Sequence, residues 1–138
     1  MDVKKEISNT IKGSLKRFAK KHQLPIGDLR IQITCDENDK LSYQLYQKTR
    51  LIEPVLMSDI LGLQKVMKKV IDPMGKQKKV TEFLDNLFRQ ISVKQNIAMP
   101  AISIIILVRN SITEPEEYLL FANKKYKHHL DLHRYIAA

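Results

Sequence analysis

Leu29-Arg30-Ile31-Gln32-Ile33-Thr34-Cys35, followed five residues later by Leu41-Ser42-Tyr43-Gln44-Leu45, alternates apolar and polar side chains with a period of two. Successive side chains of a strand point to opposite faces, so each run predicts a strand with one buried and one wet face. Asp36-Glu37-Asn38-Asp39-Lys40 between them is a polar turn of hairpin length. The wet face carries Arg30, Gln32, Thr34, Ser42 and Gln44, with Tyr46 at its end.

N-terminal to this hairpin, Val3, Ile7, Ile11, Leu15 and Phe18 recur at steps of four, four, four and three. They fill one stripe of a helix over roughly residues 3–22, with Lys5, Lys12, Lys16 and Lys20 near the opposite stripe. Pro25 and Gly27 end it. C-terminal to the hairpin, 48–57 reads as irregular because Pro54 lies inside it. Ser58-Asp59 then caps a helix to about Ile71 with the apolar arc Ile60, Leu63, Val66, Met67, Val70 and Ile71. Asp72-Pro73-Met74-Gly75 closes that helix, and Lys76-Gln77-Lys78-Lys79 reads as a basic loop. A further helix from about Val80 or Thr81 to Gln95 shows the stripe Val80, Phe83, Leu84, Leu87, Phe88 and Ile91.

Ile102 to Val108 is β-branched and apolar at nearly every position, which predicts a central strand covered on both faces. The remaining segment admits two readings. Thr113-Glu114-Pro115-Glu116 fits a capping box, opening a helix whose stripe is Tyr118, Ala122, Tyr126, His129, His133 and Ile136. Alternatively, Ala122-Asn123-Lys124-Lys125 turns a hairpin and His129-Leu130-Asp131-Leu132-His133 alternates like a strand. The helix is preferred. No internal repeat or linker divides the chain, so 1–138 is expected to be a single globular α+β domain of two or three layers. Its order is N-terminal helix, β-hairpin, two helices, one central apolar strand, and a C-terminal helix or hairpin.

The 138 residues suffice for a core without staples, and one cysteine, Cys35, excludes an internal disulfide framework and suits a reducing compartment. The longest nearly apolar run, Ala98 to Val108, is 11 residues, against about 20 for a membrane span. Without an apolar segment after Met1, a cytoplasmic protein with no membrane partner is expected.

Gly13, Gly27, Gly62 and Gly75 are too scattered for a phosphate-cradling loop, and no nucleophile-elbow motif occurs. No cofactor is expected. His129, Asp131 and His133 would share a face of a strand, and His129 and His133 a face of a helix. They are the weak candidates for catalytic or metal-binding groups in a metal-assisted hydrolase, but such histidines are more often solvated surface groups. Asp36, Glu37 and Asp39 resemble part of a calcium loop but lack its glycine and distal glutamate, leaving a polar turn as the reading.

Charge is the lopsided quantity: 24 Lys and Arg against 15 Asp and Glu give +9. Lysine supplies 18 of the 24 and isoleucine numbers 16, a joint enrichment that A/T-rich coding also produces. Basicity therefore points to a polyanion only if folding gathers it. Three sets could bind nucleic-acid phosphates: Lys12, Lys16 and Lys20 on the first helix; Lys65, Lys68, Lys69, Lys76, Lys78 and Lys79 in the middle; and Lys124, Lys125 and Lys127 near the C-terminus. Lysine is a point charge, so such contacts read the backbone rather than the sequence. Tyr46 alone on the wet face offers a thin platform for base stacking. The expected function is a non-enzymatic domain that contacts nucleic acid or another acidic macromolecule through lysines. The alternative is a protein-interaction module, an adaptor, inhibitor, assembly subunit or homo-oligomer, docking through Leu61, Leu120, Phe121 and Tyr135.

Overall fold

The computed structural model describes residues 3–25, 27, 29–48, 50–67, 69–107 and 117–135. It is mixed helix and strand: α1 (Val3–Lys21), β1 (Leu29–Cys35), β2 (Leu41–Gln47), β3 (Arg50–Val55), α2 (Met57–Ile60), β4 (Gln64–Val66), β5 (Lys69–Ile71), α3 (Lys76–Gln95), β6 (Ile102–Leu107), β7 (Glu117–Ala122) and β8 (Lys125–His129). Six strands form one antiparallel sheet in the order β3-β2-β1-β6-β7-β8, while among the described residues β4 and β5 pair only with each other.

The sheet is built on period-two burial. Ile31 faces Leu45 and Ile106 across the ladders, and Ile33 faces Tyr43 and Ile104. Ile104 in turn faces Leu120, so one face is apolar from strand to strand. Helices cover that face: Ile11, Leu15 and Phe18 of α1, Ile60 and Leu61 at α2, and Leu84, Leu87, Phe88 and Ile91 of α3 join the strands in one buried cluster. The result is two layers, with the opposite sheet face uncovered by any described element.

Element order repeats although sequence does not. α1-β1-β2-β3 and α3-β6-β7-β8 are each a helix followed by a three-stranded antiparallel meander, and the central β1–β6 pair joins them. Even the irregularities correspond, since register slips once between β2 and β3, at Leu45/Tyr46, and once between β7 and β8, at Leu120/Phe121. Near the N-termini of the two helices, Lys79 Nζ lies 3.7 Å from Glu6 Oε1. Their C-terminal ends diverge to opposite sheet edges: His22, just past α1, lies 4.0 Å from Glu53 of β3, and Gln95 contacts His128 of β8 at 3.2 Å.

Several expectations are corrected. The helix expected over 58–71 is a single turn, α2, followed by the β4–β5 arm. Gly62 adopts φ +66°, a left-handed conformation that stops a helix, and the following Val66, Val70 and Ile71 suit a strand. Residues 50–55 are not irregular but form edge strand β3; Pro54 fits there because an edge has an unpaired side. Lys76–Lys79 are not a loop but the first turn of α3. Asp72 starts the helix early, its carboxylate accepting the amides of Lys76 (2.8 Å) and Gln77 (2.9 Å). The preferred C-terminal helix is a hairpin, β7–β8, turning at Asn123 and Lys124, both with positive φ. β6 is central as expected, with β1 and β7 on its two sides, but it is buried on one face and half-buried on the other rather than covered twice. The proposed capping box at 113–116 lies outside the described residues.

Candidate polyanion interface

The repeat architecture sorts the charge. Segments 3–21 and 57–95, which supply α1, α2, α3 and the arm, contain fifteen Lys and Arg and five Asp and Glu. The rest of the chain, including all six strands of the main sheet, contains nine and ten. Net charge is therefore +10 on the helical side and −1 elsewhere.

The second lysine set touches α1 through an acidic residue. Lys79, at the start of α3, reaches Glu6 on α1. Glu6, Ile7 and Thr10 share a small cleft with Met74, Lys76, Lys79 and Val80. Beyond the other end of α1, Lys65 Nζ lies 3.0 Å from Asp59 Oδ1. Burial works to raise the Asp59 carboxyl. The Lys65 hydrogen bond, the Leu56 amide and the fields of Lys65 and Lys21 outweigh it and hold the group below its usual range. Lys65 of the arm and Lys21 at the end of α1 thus both act on Asp59. Lys20, Lys65, Lys69, Lys76, Lys78 and Lys79 are exposed, and Lys12 and Lys16 half-exposed. Lys68 lies outside the described residues. Lys124, Lys125 and Lys127 are exposed but sit on the β7–β8 hairpin at the sheet edge, away from the other two sets.

The uncovered sheet face has a different character. Its cross-strand ladders run Tyr46–Arg30–Leu107–Glu117, Gln44–Gln32–Ile105–Leu119–His129 and Ser42–Thr34–Ser103–Phe121–Tyr126. These ladders hold no lysine. The β7–β8 hairpin adds aromatics that the helix reading concealed: the Phe121 and Tyr126 rings meet edge to face at 5.6 Å.

The histidine candidates are only partly gathered. β8 ends at His129, and Leu132–Arg134 form a 3₁₀ turn, so the strand alternation through residue 133 does not occur. His129 directs Nδ1 to the Tyr126 hydroxyl at 2.9 Å and Nε2 toward Glu117 at 3.7 Å. Asp131 lies 3.8 Å from Arg134. The His133 side chain is outside the description, and among the described residues no three His, Cys, Asp or Glu are grouped to hold a metal. Asp36 closes the β1–β2 turn, accepting the amides of Asn38 (2.8 Å) and Lys40 (2.9 Å), which gives that acidic stretch a structural role.

A groove of about 820 Å³ opens between β2, β3, α2, the arm and α3. Tyr43, Val55, Met57 and Val70 make it apolar, and Glu82 and Asp85 give it an anionic lip. Lys40 lines the same groove, so its rim carries both signs of charge. Within the groove wall, burial and the Asp85 field push the Tyr43 hydroxyl up to about 12. An unfolded tyrosine titrates near about 10. The folded state holds this proton more tightly, so its stabilising contribution is complete below about pH 10 and is lost as pH rises through 12. Urea denaturation at pH 8, 10 and 11.5 should therefore show stability declining over the last interval, with a shallower decline in Tyr43→Phe.

Of the alternative contact residues, Leu61, Leu120 and Tyr135 are core residues at 5%, 0% and 7% exposure, and only Phe121 reaches a surface, half-buried on the open sheet face. Among the described residues no helix is long and apolar enough to cross a membrane. No family model matches the chain, and comparison with curated proteins and with solved structures gives no match.

Proposed function

We propose that the protein is a non-enzymatic binding domain that docks the phosphate backbone of nucleic acid onto the lysines of its helical side. The observation that carries this reading is the partition of charge, +10 on the segments that build α1, α2, the arm and α3 against −1 on the remainder. A flexible ammonium on an exposed helix neutralises a phosphate without fixing its orientation, so binding is tolerant of sequence and dominated by counterion release. Lys12, Lys16 and Lys20 supply one row of contacts, and Lys69, Lys76, Lys78 and Lys79 a second. Lys65, paired with Asp59, and Lys79, paired with Glu6, are partly neutralised and contribute less.

Fluorescence anisotropy with a labelled 30-base-pair duplex of mixed sequence tests the reading. With six or more phosphates engaged, affinity should fall by about 10³–10⁵ between 50 and 200 mM KCl. Affinity that is flat across this range would remove phosphate docking as the function.

A further inference from the structure

The β4–β5 arm is the least explained part of the fold. All its described side chains except Val70 are exposed; Val66 is 45% exposed, Ile71 42% and Met67, at the tip with φ +51°, 96%. The register sets Gln64 opposite Ile71 and Val66 opposite Lys69, while Lys65 lies opposite Val70. Alternation therefore places Gln64, Val66, Lys69 and Ile71 on one face. Lys65 and Val70 occupy the other, turned to Asp59 and the groove. A short ribbon with an amide, a cation and two β-branched side chains on its outer face, and a bare methionine at its end, gains nothing from the core it leaves.

We propose that this arm enters the major groove of B-form DNA and reads A·T pairs there. The inference rests on the polyanion reading above and adds the partner's identity. Size argues for the groove: three residues per strand at about 3.3 Å reach about 10 Å, against a major groove about 8.5 Å deep and about 12 Å wide, which admits a two-stranded ribbon. The minor groove, about 6 Å wide, does not, and the major groove of A-form RNA is too narrow for side chains to read. Chemistry argues for the bases. An amide such as Gln64 matches the N6 and N7 edge of adenine, and Val66, Met67 and Ile71 are apolar partners for the thymine methyl. Lys69 is placed for the flanking phosphate, and the cationic surface of α1 and α3 holds the duplex against the base of the arm.

The test compares three duplexes of one A·T-rich sequence at 100 mM KCl: DNA with thymine, DNA with uracil at every thymine position, and RNA. Uracil lacks only the methyl group. The protein should bind the uracil DNA about three- to tenfold more weakly than the thymine DNA, because each engaged methyl contributes roughly a factor of four. Met67→Ala and Val66→Ala should shrink that ratio toward one while leaving the salt dependence unchanged. Both positions are exposed enough that folding is not at risk. Equal affinity for thymine and uracil DNA, with steep salt dependence retained, would overturn the arm inference and leave phosphate docking standing. A Met67→Ala loss equal on DNA and RNA would overturn it as well. Salt-independent binding to all three would remove both.

Discussion

Phe88→Ala should lower the free energy of unfolding by about 3–5 kcal/mol. Phe88 is fully buried on α3, within the cluster that joins both helices to the sheet. Alanine would remove most of a large apolar surface and leave a cavity that the flanking Leu84, Leu87 and Ile91, all fully buried, cannot collapse to fill. Domains of this size are stable by only about 5–15 kcal/mol, so the loss is a large fraction of the total. At roughly 3 °C per kcal/mol, Tm should fall by about 10–15 °C. Val93→Ala, on the same helix but 82% exposed, should change stability by less than about 0.5 kcal/mol. Urea denaturation of both variants checks the pair, and a Phe88 effect as small as that of Val93 would contradict the packing of α3 on the sheet.

Replacing Lys12, Lys16, Lys20, Lys76, Lys78 and Lys79 together with glutamine should weaken duplex binding at 100 mM KCl by at least about 10³, and should lower the slope of log K against log salt by about five. Glutamine has close to the helix propensity of lysine, so far-UV circular dichroism should be unchanged. Net charge would pass from +9 to +3 with the removal of six cations. The slope identifies the cause: a variant that lost affinity through distortion of the fold would not lose counterion release in proportion to the lysines removed.

The elements that could be read from the chain are those whose side chains face a single environment. Ile31 and Ile33 alternate with Gln32 and Thr34 because one face of β1 meets the core and the other does not. Ile7, Ile11 and Leu15 recur at helical spacing for the corresponding reason. Legibility failed where two periods fitted the same residues. Ile60, Leu63, Val66, Met67, Val70 and Ile71 satisfy a helical arc, yet Gly62 ends the helix after one turn and the β-branched residues pair across an arm. In β7, Tyr118 and Leu120 are buried while Leu119 and Phe121 are half-buried on the open face, so the sequence shows no alternation of polarity at all. The start of α3 was concealed because its cap is the Asp72 side chain, four and five residues before the amides it accepts.

The candidate interface divides along similar lines. Each lysine is visible in the sequence, and none of them reveals where the others lie. Lys79 beside Glu6, and Lys65 with Lys21 around Asp59, are products of helix placement over the sheet. The partition of charge emerges only when the strands are known, because Lys124, Lys125 and Lys127 belong to a sheet edge rather than to a helix beside α1.

Two triple variants of equal net charge separate a gathered cationic surface from bulk basicity. Lys12, Lys16 and Lys20→Gln on α1, and Lys124, Lys125 and Lys127→Gln on the β7–β8 hairpin, each take the chain from +9 to +6. At 150 mM salt charges act over only about 8 Å, so position rather than total decides the outcome. Duplex affinity measured side by side should fall about 10²–10³-fold for the α1 variant and less than about threefold for the hairpin variant. Equal losses in the two would show that the lysines act through net charge alone and would contradict a binding surface on the helical side.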